Sequence, residues 1–145
     1  MTLDSKLGTI LVATDFSETA EAGLDWAIDL AKAHGARIDL VHALMMPNQM
    51  GAYLPSPPDM NEELRQAALG RLDESAVRAR DAGVEVQPEL LLGLPSQTIL
   101  EAAAASSAEL IVVGTLGQTG IKHLLLGSTA ERVVQRAACP VLTIH

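Results

Sequence analysis

Five short runs of aliphatic and β-branched residues alternate with four stretches of helical periodicity along this chain, which predicts an α/β sheet with helices packed on it. The first run, Thr9 to Ala13, is nearly all apolar, as a strand buried on both faces must be. From about Glu18 to His34, Leu24, Ala27, Ile28 and Ala31 recur at i, i+3, i+4 and i+7 and predict a helix, with Ser17 to cap it and Gly35 to end it. A second strand is expected over Arg37 to His42. A second helix is expected from about Asp59 to Asp81, with Leu64, Ala68, Leu72 and Ala76 as its buried stripe and its many charges as a solvated face. The third strand, Val84 to Leu91, reads differently: Val84, Val86 and Pro88 alternate with Glu85, Gln87 and Glu89, and alternation with an internal proline marks an edge. A third helix starts with Pro95 in its first turn and runs to about Ser106. Strand four is expected over Glu109 to Gly114, helix four over Ser128 to Ala138, and strand five over Val141 to Ile144.

Placing strand three at an edge fixes much of the topology. Right-handed crossovers then put strand two inside it, strand one next, and strands four and five beyond. The expectation is a three-layer, doubly wound sandwich with a five-stranded parallel sheet in the order 3-2-1-4-5, forming one domain over residues 1–145. In that order the connections reverse direction between strands one and four, and open α/β sheets bind ligands at such a switch point, beyond the C-terminal strand ends.

Composition narrows the choice of ligand. Hydrophobic residues make up 48% of the chain, yet Phe16, Trp26 and Tyr53 are its only aromatics, so the core is aliphatic. The formal net charge of -8, with no block of Lys or Arg, argues against nucleic acid and anionic membrane surfaces. It leaves room for a small polyanion held locally by helix ends. Cys139 is the single cysteine, which excludes an intrachain disulfide and fits a reducing compartment; the polar N-terminus lacks a signal-peptide pattern, and a cytoplasmic protein is expected.

Gly114-Thr115-Leu116-Gly117 is followed by nine residues and then Gly127-Ser128-Thr129, a G-x2-G-x9-G-[ST] spacing between strand four and helix four. Glycines between a strand and a helix start are how α/β proteins build phosphate sites. The last helix offers unsatisfied N–H groups and the positive end of its dipole, each contact contributing about 0.3–2 kcal/mol, and several must act together for micromolar affinity. Two uses of Ser128 stay open at this level: a phosphate contact or simple N-capping. Asp15 likewise suits a ribose or water-mediated metal contact, or an Asx-turn ahead of Ser17.

From Leu110 to Ile144, and again over Ile10-Leu11-Val12-Ala13-Thr14-Asp15-Phe16-Ser17, the chain resembles the universal stress protein family, in the branch that binds ATP. The resemblance implies the adenine nucleotide alpha-hydrolase-like fold and a nucleotide-dependent stress-response module. By that resemblance Ala13, Thr14 and Asp15 line the adenosine end, the Val41 backbone reads the adenine edge, and Gly114, Leu116, Gly117, Gly127, Ser128 and Thr129 surround ribose and phosphates. ATP would arrive with Mg2+ or Mn2+ held by its phosphates. The family also implies a homodimer formed through the last strand, which at a sheet edge is an exposed liability, with Val141, Leu142 and Ile144 at its centre.

One departure is Leu116, where ATP-binding relatives often carry histidine. Lys122 and His123 in the spacer could neutralise phosphate charge or simply be solvated. The segment Ala43 to Pro58, with four prolines and several apolar residues, is a loop that packs on its own domain, covers the ligand, or meets another subunit. No P-loop, nucleophile elbow or metal-like histidine pairing occurs, and no general base is evident, so binding is expected rather than rapid hydrolysis. The competing readings are a slow ATPase or an adenylyl- or phosphoryl-transfer enzyme, and a dimeric scaffold indifferent to nucleotide.

Overall fold

The computed structural model describes residues 6–45, 58–115 and 126–145. Along the chain it forms β1 (Thr9–Ala13), α1 (Glu18–His34), β2 (Arg37–Leu44), α2 (Pro58–Asp81), β3 (Val86–Leu92), α3 (Pro95–Ser106), β4 (Leu110–Gly114), α4 (Ser128–Arg136) and β5 (Val141–Ile144). The strands pair in the order β3-β2-β1-β4-β5, every neighbouring pair parallel. This is the expected doubly wound sheet.

Alternation of side chains across the strands sorts the core into two layers. Ile10, Val12, Ile38, Leu40 and Val86 face α1 and α2, where they meet Leu24, Ala27, Ile28, Leu72 and Ala76. Leu11, Val41, Ile111 and Val113 face α3 and α4, meeting Ile99, Ala103, Ala130 and Val133. The alanine-rich helices let backbones come close to the sheet. Ser17 caps α1 by accepting the Ala20 N–H at 3.3 Å, and Gly35 ends it in the left-handed region at φ 70°.

Several boundaries differ from expectation, each for a local reason. β2 runs two residues past His42 because Leu44 still pairs with Leu92 and accepts the Gly93 N–H at 3.2 Å. β3 begins at Val86, since Val84 N–H still bonds back to Ala79 of α2. β4 begins at Leu110, and α4 stops at Arg136 because Ala137 is extended. In α2, Leu64 is 40% exposed and Ala79 takes its place in the buried stripe with Ala68, Leu72 and Ala76.

The edge position of β3 explains both its alternation and its proline. Ile38 N–H bonds Glu85 carbonyl and Gly93 N–H bonds Leu44 carbonyl, so odd-numbered β3 residues bond to β2 and even-numbered ones point outward. Pro88 therefore lacks its N–H on the open side, where it costs the ladder nothing and weakens the edge as a pairing template. The polar row Gln87 and Glu89 lies on the α3 face, which α3 covers only over β1 and β2.

Candidate functional site

β1 and β4 are paired only as far as Val12 with Val112. Past that point the chain leaves β1 through a turn, Thr14 to Ser17, that is knitted by its own side chains. Thr14 Oγ1 accepts the Phe16 N–H at 3.0 Å, and Asp15 Oδ1 accepts the Ser17 N–H at 3.0 Å. Asp15 thus makes the Asx-turn bond that was one of its two expected uses. Phe16 sits at φ 65°, a left-handed conformation that costs a non-glycine residue about 1–3 kcal/mol and must be held by its surroundings.

Val41 joins this turn through its carbonyl, which accepts the Thr14 N–H at 2.9 Å. That bond closes the β1–β2 ladder. The next β2 residue aimed to the same side is Ala43, whose N–H and carbonyl point past the end of β1. The family resemblance singled out Val41; the register adds Ala43.

His42 follows, on the α1/α2 side of the sheet. Its Nδ1 lies 2.7 Å from the Thr14 carbonyl, so Nδ1 carries the proton and donates. Burial, the largest influence, lowers the His42 pKa below its usual 6.5, partly offset by the Thr14 bond and by Asp15. A histidine whose folded pKa is depressed stabilises the fold above its unfolded pKa, and that contribution is lost as pH falls from about 6.5 through the folded value. Native protein is therefore expected to lose more denaturant resistance between pH 7.5 and pH 5.5 than His42→Asn does. An equal loss in both would contradict this.

On the other side of the cleft, Gly114 ends β4. A Cβ there would lie 2.5 Å from Thr19 Oγ1 and 2.9 Å from the Ala20 backbone N. Glycine is needed because the first turn of α1 lies against it, a steric requirement of the fold rather than of a ligand. Thr115, not among the expected site residues, is 1% exposed and ties the end of β4 to β5 and to the start of α4. Its N–H and Oγ1 both donate to the Ile144 carbonyl, at 2.8 and 3.1 Å, and its own carbonyl accepts the Gly127 N–H at 2.6 Å. A Cβ on Gly127 would meet that carbonyl at 2.7 Å. Gly127 thus lets the ends of the glycine-rich loop be fastened to each other, while Thr115 fastens them to β5 and Gly114 admits the first turn of α1.

Gly127 is the N-cap of α4 and has no side chain to cap it. Ser128 is the first residue inside the helix, so the capping alternative for Ser128 does not hold. The first helical bond is Glu131 N–H to Gly127 carbonyl, at 2.9 Å, which leaves the N–H groups of Ser128, Thr129 and Ala130 without acceptors in the helix. With the dipole, these are donors of the kind that favour negative charge at a helix N-terminus. Ala13, Thr14, Asp15, Val41, Gly114 and Gly127 to Thr129 are thereby brought to the same end of the sheet. Leu116 and Gly117, Lys122 and His123, and most of the Ala43–Pro58 loop lie outside the described residues. Among the described residues no group of three or more His, Cys, Asp or Glu is placed to hold a metal ion, and no helix is long and apolar enough to cross a membrane.

A separate open trough of about 650 Å³ runs between β2, β3 and α3, over Leu11, Val41, Leu91 and Ala102, with the half-buried Arg37–Asp39 ion pair at 3.2 Å on its rim. Of the expected site residues only Val41 lines it. It results from α3 leaving β3 uncovered; the start of α4, whose first N–H groups have no acceptor within the helix, lies apart from it.

Comparison with known proteins agrees with this architecture. A universal stress protein from Thermus aquaticus is 39% identical over 143 residues, covering 94% of this chain and 98% of its own length. Among solved structures, a universal stress protein in complex with cAMP superposes with a TM-score of 0.73 at 27% identity, covering 97% of this chain and 98% of that one. The universal stress protein from Archaeoglobus fulgidus in complex with dAMP gives 0.69 at 25%, covering 96% and 98%. The pattern that defines the family matches residues 6–145, and this chain belongs to the universal stress protein family.

Proposed function

We propose that this chain is an ATP-binding module that acts as a homodimer in a stress response, reading nucleotide occupancy rather than turning nucleotide over. The observation that carries the reading is the uncapped start of α4: three N–H donors at a helix N-terminus, fixed beside the β1–β4 switch point by the Thr115–Gly127 bond. Adenine-nucleotide complexes of two relatives with the same fold support it. In this reading the phosphates meet Ser128 and Thr129, the adenosine end lies over Thr14, Asp15 and the Val41–Ala43 backbone, and Mg2+ is held mainly by the phosphates. Thr14 Oγ1 and Asp15 Oδ1 are engaged in holding their own turn, which suits orientation better than proton transfer. Mass spectrometry of small molecules released from the purified protein, with calorimetric titration of Mg-ATP, tests this. Adenine nucleotide recovered and bound without turnover is the expected result; no binding at millimolar ATP would end the reading.

For the dimer, we propose a backbone-mediated contact. Leu142 and Ile144 pack into the α1/α2 layer and Val141 into the α3/α4 layer, so their side chains are largely committed within one subunit. Ile111 N–H bonds Pro140 carbonyl and Thr115 N–H bonds Ile144 carbonyl, so even-numbered β5 residues face β4 and the groups of Val141 and Thr143 point outward. Thr143→Pro removes one outward donor and leaves the β4 ladder intact. Light scattering should show it as a monomer while the native chain has twice the mass; a native monomer, or an unchanged dimer in the variant, would remove this assembly.

A further inference from the structure

We infer that His42, Phe16 and Arg71 form a positioning stack that presets the β1–α1 turn for its ligand. The inference rests on the nucleotide reading above and assigns these residues no contact with the nucleotide itself. The turn has an intrinsic weakness, because Phe16 holds a left-handed φ of 65° that an aromatic residue would not adopt unaided. Three contacts from two other elements restrain it. His42, at the end of β2, donates Nδ1–H to the Thr14 carbonyl at 2.7 Å, and its ring lies 4.5 Å from the Phe16 ring at 38°. Arg71, on α2, places its guanidinium 4.5 Å from the centre of the same ring.

The imidazole therefore grips the turn at both ends, by a hydrogen bond at Thr14 and by ring contact at Phe16. Asp15 lies between those two points. Losing either grip would let Phe16 relax toward negative φ and swing Thr14 and Asp15 away from the cleft. The stack also joins α2 to the turn, since Arg71 is exposed on that helix and lies over the Phe16 ring. Holding a strained turn ready before the ligand arrives removes an ordering cost from binding.

The test is calorimetric titration of Mg-ATP into the native chain, His42→Ala, His42→Asn and Arg71→Met, with the unfolding temperature of each recorded alongside. His42→Ala is expected to weaken binding by about tenfold or more, the loss of one buried hydrogen bond and its ring contact. Asparagine can donate from near the Nδ1 position, so His42→Asn should recover to within about threefold of native. Arg71→Met should weaken binding by about threefold with little change in unfolding temperature, because that side chain is exposed. Should His42→Ala fail to fold, the Arg71→Met and His42→Asn results still decide the matter.

Heteronuclear NMR adds an independent readout: His42 should be the Nδ1–H tautomer with or without nucleotide. Native-like binding by both His42→Ala and Arg71→Met would overturn the stack while leaving nucleotide binding in place. So would His42→Asn as weak as His42→Ala, which would reduce the ring to packing. No binding by the native chain would overturn the nucleotide reading, and the stack with it.

Discussion

Gly114→Ala is expected to cost about 3 kcal/mol of stability, the upper end of what overpacking a core position does. The added methyl carbon would stand 2.5 Å from Thr19 Oγ1, which a rotamer change could relieve. It would also stand 2.9 Å from the Ala20 backbone N and 3.1 Å from the Thr19 carbonyl carbon, and only a shift of the whole first turn of α1 can relieve those. That turn carries the Ser17 cap and abuts the Thr14–Asp15 turn, so nucleotide affinity should fall with stability. In a domain of this size the loss corresponds to a melting temperature lower by about 10 °C. Gly70 provides the contrast. It is an exposed residue inside α2 with nothing within 4 Å of where a Cβ would go. Gly70→Ala should gain about 1 kcal/mol, the helix-propensity difference alone. Two glycine-to-alanine changes with opposite signs, read by denaturant melts, separate close approach from backbone entropy. Matching effects would mean that Gly114 is not packed as described.

Ser128→Asp should have the largest effect on binding, and its effect on stability should have the opposite sign. A carboxylate at the first residue of α4 complements the helix dipole and should stabilise the fold by about 0.3–1 kcal/mol. The same charge would face the phosphates of a bound nucleotide, where repulsion of about 3 kcal/mol weakens binding by about a hundredfold. Ser128→Ala removes only the hydroxyl and should cost a few-fold. A melt and a titration on the same sample check both. A variant that is stabilised but no longer binds identifies the helix end as the phosphate site. One that binds normally would show that Ser128 is a surface residue and nothing more.

Strand order was legible in the sequence because Pro88 and the Glu85–Gln87–Glu89 alternation mark β3 as an edge, and right-handed crossovers then allow few alternatives. Helix and strand limits were legible where chemistry marks them, at Ser17, Gly35 and Pro95. They were not where partners decide: β2 extends to Leu44 because β3 pairs with it there, and Leu64 is exposed although it fits the helical period. The G-x2-G-x9-G-[ST] spacing pointed to the C-terminal end of the sheet, where the described part of the motif lies, but the reason for its glycines was hidden. Gly114 and Gly127 have no side chain because Thr19, Ala20 and Thr115 occupy that space, and nothing local to the motif says so. Capping stood open for Ser128 beside a phosphate contact until the structure put Gly127 in the cap position. The grouping of Phe16, His42 and Arg71 could not be read at all. These residues belong to a turn, a strand end and a helix, and only the fold brings them together.

The account centres on phosphate bound at the start of α4 beside the switch point, and a crystal structure grown with Mg-ATP tests that most directly. The predicted result is phosphate oxygens within hydrogen-bond reach of the Ser128 and Thr129 N–H groups, with the base against the Val41–Ala43 end of β2. Nucleotide seated instead in the β2–β3–α3 trough, or a cleft left empty at saturating ATP, would contradict it.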